Sequence, residues 1–115
     1  MEISEHLEQD IYVVSLKGKL KGCPEADDLY DTFKKIRESG VNRVIINLKE
    51  LEWMGSMGLG ALIGCLTTMR NVDGDMRLAN PNKKIANLFH ITRLDSVFNV
   101  YDTMDHAKES FATYK

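Results

Sequence analysis

A chain of 115 residues is long enough for one domain and too short for two. Its 43% apolar and 28% charged residues supply an ordinary core and an ordinary surface, which excludes a disordered chain and a collagen-like repeat. The formal net charge of -2, from 15 Lys and Arg against 17 Asp and Glu, argues against a nucleic-acid binder driven by phosphate neutralisation.

The chain opens MEISEHLEQD, polar and acidic, without the basic start and apolar run of a signal peptide. No stretch approaches the length of a membrane span, so a soluble, cytoplasmic protein without membrane insertion is expected. Residues 2–7 alternate and predict a short edge strand. Residues 11–16 (IYVVSL) are β-branched and aromatic, with Gly18 soon after, and predict a second strand. Gln9 and Asp10 turn one into the other, giving an opening hairpin.

Pro24 suits the first turn of a helix. Glu25, Asp27 and Asp28 crowd that turn, Lys34, Lys35 and Arg37 crowd the last, and Gly40 follows as a stop. Acids first and bases last complement the helix dipole. Ala26, Leu29, Phe33 and Ile36 share one face, which predicts an amphipathic helix over a core. Residues 41–48 (VNRVIINL) form a continuous apolar run and predict a central strand buried on both faces.

A loop is expected next, then the stretch WMGSMGLG over residues 53–60. The helix that follows repeats Leu59, Leu62, Leu66 and Met69 at helical spacing and should be largely buried. Asp73 and Gly74 form a turn before a short strand at residues 76–79. Asn80, Pro81 and Asn82 open a helix with Ile85, Leu88 and Phe89 on its apolar side. Residues 97–101 predict the last strand. Thr103 caps a final helix whose stripe is Met104, Ala107, Phe111 and Tyr114. The order β-β-α-β-α-β-α-β-α places the chain in the α/β class, one domain over residues 1–115. Its central sheet should be mostly parallel, with helices packed mainly on one face.

Cys23 and Cys65 stand far apart, with no CxxC and no His at ligand spacing. They predict reduced thiols, at least one of them buried. No metal and no other cofactor is implied. His6, His90 and His106 are scattered, and His90, beside a core helix face, is expected to be structural.

The chemistry therefore concentrates in WMGSMGLG. Ser56 precedes the expected helix, so one role is an N-cap accepting from the amide of Gly58 or Leu59, worth about 1 kcal/mol. The other role uses the same place differently. A helix N-terminus has unpaired N–H groups and partial positive charge, and a serine there tolerates a phosphate. Gly60 and Gly64, one turn apart, let the helix approach the sheet, and Gly58 lets the backbone approach a partner. Gly55 and Gly60 have P-loop spacing, but Ala61 and Leu62 stand where Lys and Ser/Thr belong. Gly58 and Gly60 begin a dinucleotide fingerprint that Ile63 interrupts. Met54 stands where a nucleophile elbow needs its first glycine.

The segment running from VNRVIINL through WMGSMGLGALIG to VFNV resembles the STAS domain of anti-sigma factor antagonists. Gly18-Lys19-Leu20 is similar to that family's Gly-x-Leu/Ile-Asp, and WMGSMGLG to its loop Asp-Ser-Ser/Ala-Gly-Leu-Gly. The likeness covers nearly the whole chain. It implies a regulatory binding module, not an enzyme, that docks on a partner acting as both serine kinase and anti-sigma factor. Ser56 falls on the phosphoacceptor, and phosphate there would block docking. A phosphatase partner would reverse the switch.

Four positions depart from the pattern. Gly55 and Asn47 replace Asp, Lys21 replaces Asp, and Met57 replaces a small residue. The local change is about four charge units toward positive. A kinase that reads those acids should recognise the chain poorly, and Lys21 is expected to favour an acidic partner group or a phosphate. Lys17, Lys19 and Lys21 alternate and enlarge the positive patch. The expected partner surface is Lys21, Asn47, Met54, Gly55, Ser56, Met57 and Gly58, gathered at one end of the sheet. Met57 is expected exposed, and one of the neighbours Trp53 and Met54 faces the core. Two other functions fit less of the chain. One is a phosphorylation-independent STAS subunit of a transporter or signalling complex. The other is a small serine hydrolase with Ser56 as nucleophile and His90 or His106 as base.

Overall fold

In the computed structural model, which describes residues 1–22 and 25–112, a five-stranded sheet runs in the order β1-β2-β3-β4-β5. The strands are β1 (Glu2–Glu8), β2 (Ile11–Leu20), β3 (Arg43–Met54), β4 (Asp75–Ala79) and β5 (Asn99–Tyr101). The expected hairpin is there: β1 pairs antiparallel with β2. Gln9 turns the corner at φ 55. All remaining pairings are parallel. Helix α1 (Glu25–Ser39) follows β2, α2 (Ser56–Arg70) follows β3, α3 (Lys83–Ile91) follows β4, and α4 (Met104–Ala112) follows β5. The expectations for Cys23, Pro24 and Tyr114 lie outside the described residues.

The helix periodicities hold. Ala26, Leu29, Phe33 and Ile36 of α1 are all buried, as are Leu59, Leu62, Leu66 and Met69 of α2. With Ile85 and Phe89 of α3 they pack on Val14, Leu16, Val44, Ile46, Leu48 and Leu78 in one core. Residues between those strand positions face the other way. Ile45 and Ala79 meet Ala107 and Phe111 of α4 in a smaller cluster. Three helices thus cover one face and α4 the other, and β3 is buried on both sides.

Arg77 is the buried charge of the α4 face. Its guanidinium lies 4.1 Å from the Phe111 ring centroid, donates to Ser110 Oγ at 2.9 Å and pairs with Asp75 at 3.4 Å. Stacking, hydrogen bond and counter-ion together compensate its desolvation.

Two strands run longer than their sequence suggests. β3 was expected to end at Leu48 and give way to a loop, and β2 to end at Leu16. They continue side by side to Met54 and Leu20. Register slips between Ser15 and Lys17, and again between Gly18 and Lys19. These bulges place Leu48, Leu51 and Met54, three residues apart, on the same core side. A spacing of three does not match the strand period of two, so the extension is concealed in the sequence. Gly18, at φ 105, supplies the backbone freedom at the second slip. The last strand is shorter than expected: a 3₁₀ turn at Leu94–Ser96 precedes it, and Phe98 instead packs on Phe89 with ring centroids 5.8 Å apart.

Candidate functional site

The long β2–β3 pair delivers its ends to one corner. There the Gly55 amide donates to the Leu20 carbonyl at 3.1 Å, and the Leu59 amide donates to the Gly55 carbonyl at 3.0 Å, starting α2. The cap residue is Gly55, at φ -95 and ψ -179, and it makes no side-chain cap bond. Ser56 is thus the first helical residue and not the N-cap, because the helix begins one residue earlier than its spacing suggests. Its side chain is exposed, and its hydroxyl has no hydrogen bond among the described residues. The amides ahead of Leu59 sit at the helix mouth beside it.

The expected surface residues separate on contact with the structure. Lys21, Ser56 and Met57 are exposed at the corner, Met57 at 59%. Trp53 is 38% exposed and its neighbour Met54 only 3%, so Met54 belongs to the core and not to a partner surface. Gly58 is also buried. A Cβ there would stand 2.7 Å from the Leu20 carbonyl oxygen and 2.8 Å from Leu20 Cγ. Its role is close packing of α2 on the end of β2, not contact with a partner. Gly64 makes room for Tyr30 of α1, not for the sheet, and Gly60 faces open space.

Asn47 does not join the corner. It pairs with Ser15 and Ala79, while Met54 pairs with Leu20. The seven intervening steps of strand put Asn47 on the order of 20 Å away. Its Oδ1 accepts from the Lys49 amide at 3.1 Å and from Asn80 Nδ2 at 3.4 Å, bonds that hold the sheet where β3 first bulges.

Gly55 has a reason of its own. A Cβ at this position would stand 2.8 Å from the Trp53 indole. The ring occupies the space in which an aspartate before the serine would start. Lys21 and Gly22 flank the same corner: the Lys21 carbonyl lies 3.6 Å from that Cβ position, and Met57 Sδ lies 3.1 Å from the corresponding position of Gly22.

Lysines 17, 19 and 21 alternate with buried Leu16 and Leu20, as expected, but they are not equivalent. Lys17 pairs with Glu50 at 3.8 Å. Lys19 and Lys21 line a cleft of about 490 Å³ with Glu52, Trp53 and Lys84. Lys84 enters from α3, far along the chain from Trp53, and nothing in the local spacing announced it. The bulge that turns Trp53 outward hid the other wall.

The histidines stand apart from Ser56 chemistry. His90 was expected to be structural, yet its side chain is 80% exposed and lies 3.3 Å from Asp95, because the helix turns that edge to solvent. His6 bonds Glu8 at 3.0 Å. His106 sits on α4. Cys65 is buried, and burial pushes its thiol up to about 12, so it stays protonated and inert. Among the described residues no cluster of His, Cys, Asp and Glu has metal-binding geometry. No helix there is long and apolar enough to cross a membrane.

With this corner in view, the chain compares closely with known proteins. The STAS domain pattern matches residues 3–107. A Thermotoga neapolitana protein named as a candidate anti-sigma factor antagonist is 30% identical over 67% of this chain and 68% of its own. The anti-sigma-B factor antagonist of Staphylococcus epidermidis is 29% identical over 79% of this chain and 83% of its own. The phosphorylated form of the Bacillus cell fate determinant SpoIIAA superposes with a TM-score of 0.73 at 20% identity, over 96% of this chain and 99% of that one. Pattern, relatives and strand order agree, and the chain belongs to the STAS domain family, among relatives named anti-sigma factor antagonists.

Proposed function

We propose that this chain is a regulatory binding module of the anti-sigma factor antagonist kind, which docks through the Ser56 corner on an anti-sigma factor. Docking would free the sigma factor that the partner holds. The observation that carries the reading is Ser56 itself: exposed, without a hydrogen-bond partner among the described residues, and in the first turn of α2. A phosphate there adds a charge of about -1.5 to -2. The helix end tolerates that charge, but an interface meeting it does not. The proposed partner is a serine kinase as well as an anti-sigma factor, with a phosphatase to restore the hydroxyl. On this reading the chain acts by binding and performs no catalysis of its own; a hydrolase would need a histidine on Ser56, and that hydroxyl has no such bond among the described residues.

The missing acids govern how well a kinase recognises the corner. Trp53 fills the side-chain space at residue 55, and Lys21 reverses the sign beside it. Phosphorylation by a kinase that reads acids should therefore be slow, while docking persists. Incubating the protein with ATP and the anti-sigma kinases of its own genome, then locating phosphate by peptide mass spectrometry, tests the switch. Phosphate at Ser56, abolished in Ser56→Ala, is expected. Intact docking on a kinase that never modifies Ser56 would instead favour a phosphorylation-independent STAS subunit. Phosphate placed only elsewhere would contradict Ser56 as acceptor.

A further inference from the structure

The cleft of Lys19, Lys21, Glu52, Trp53 and Lys84 holds positive charge that the protein does not neutralise. Three lysines elsewhere have partners, Lys17 with Glu50 at 3.8 Å, Lys35 with Glu5 at 3.1 Å, and Lys108 with Glu8, while Lys34, Lys49 and Lys83 stand singly on the surface among the described residues; what sets the cleft apart is that its lysines converge. Among the described residues Lys19, Lys21 and Lys84 form no ion pair, and three cations face one carboxylate across the cleft. Because the whole chain carries a net charge of -2, this is a local concentration and not a share of a basic surface. Trp53 forms part of the wall. Beyond Trp53 and Lys84 a second groove of about 160 Å³ continues along α3, past Leu88 and Ile91. Ile91 is 68% exposed, the most exposed large apolar side chain among the described residues.

The charged cleft and the apolar groove thus adjoin, sharing Trp53 and Lys84. Carboxylates entering the cleft would meet three cations beside an indole that excludes water from one side, which strengthens each attraction. An apolar side chain beside them would find Trp53, and one further along would find Leu88 and Ile91. A nucleic acid would meet the same lysines, but also the repulsion of an acidic molecule.

We propose that this cleft binds an acidic, apolar-punctuated segment of the docking partner, with its carboxylates on Lys19, Lys21 and Lys84 and an apolar anchor against Trp53. The proposal rests on the docking reading above and adds the partner's chemistry to it. It also explains the sign at Lys21: where the family pattern presents an acid to its partner, this chain presents a cation.

Trp53 is the sole tryptophan, so its emission reports the cleft directly. The probe is a synthetic peptide of alternating Glu and Leu, with a Lys and Leu peptide, ATP and a short single-stranded DNA as comparisons. The acidic peptide is expected to shift Trp53 emission saturably. The affinity should weaken about tenfold in Lys84→Glu and in the double variant Lys19→Glu/Lys21→Glu. It should also weaken on raising salt from about 50 mM to about 300 mM. Lys17→Ala, outside the cleft, should leave it unchanged. No saturable shift, an equal response to the basic peptide, or indifference to Lys84→Glu overturns the proposal. So does equal or tighter binding of ATP or DNA, which would assign the cleft to a small anion or a nucleic acid.

The full partner separates the two readings. Docking lost in Ser56→Asp but unaltered in Lys84→Glu overturns the cleft proposal and leaves the docking reading standing. Docking indifferent to Ser56→Asp removes the docking reading, and the peptide titration then decides the cleft alone. All the replaced lysines are exposed, so the variants should retain the wild-type melting curve.

Discussion

At the scale of single residues, the glycines of the loop have opposite roles that the letters GLG do not distinguish. A methyl group at Gly58 would press on the Leu20 backbone at 2.7 Å, a contact that a rigid strand end cannot relieve. Gly58→Ala should cost about 1–3 kcal/mol, read as a lowered urea midpoint. Gly60, two residues on, is helical and faces open space. Gly60→Ala should raise stability by about 0.5–1 kcal/mol in the same experiment. Ser56→Ala should leave the midpoint nearly unchanged, because the cap is Gly55 and no cap bond is lost; a drop of about 1 kcal/mol would restore the N-cap role. Gly55→Asp should displace the Trp53 ring and change its fluorescence, since the new Cβ would fall 2.8 Å from the indole.

At the scale of elements, what was legible depended on whether a period survived. Helices α1 and α2 were readable because each keeps its apolar stripe from end to end, and the hairpin because Gln9 and Asp10 separate an alternating run from a β-branched, aromatic one. The second half of β3 was not, because two bulges turned an alternating strand into a spacing of three. That failure also misplaced the site: Asn47 was put beside Ser56 when six residues of strand separate it from Met54. Connection of α3 to the sheet depends on Asn82, whose Oδ1 accepts from the Ile85 amide at 2.8 Å while its Nδ2 donates to the Leu51 carbonyl at 2.9 Å. Asn82→Ala loses the cap and the cross-link together and should destabilise by about 1–2 kcal/mol. Its amides near residue 85 should also exchange with solvent faster than those of α2.

At the scale of the whole molecule, α1, α2 and α3 bury one sheet face and α4 the other, which leaves the β2–β3 ends as the place where exposed chemistry collects. Acid tests one long-range tie across this fold. Glu8 on β1 is held below its ordinary carboxylate value, first by the hydrogen bond from Lys108 of α4 and then by His6. A depressed value in the folded protein means stability that is present above the ordinary value and lost as pH falls through the folded one. Glu8→Gln should therefore lower stability slightly at neutral pH, leave it unchanged below the folded value, and so flatten the acid limb, by a small amount because the pair is exposed.

The claim that the Ser56 corner is the docking face is tested most directly by calorimetric titration. The titrant is the proposed anti-sigma factor partner. Binding by Ser56→Ala within about threefold of wild type, and about 100-fold weaker binding by Ser56→Asp, is the predicted result. Equal affinity for all three proteins would contradict it.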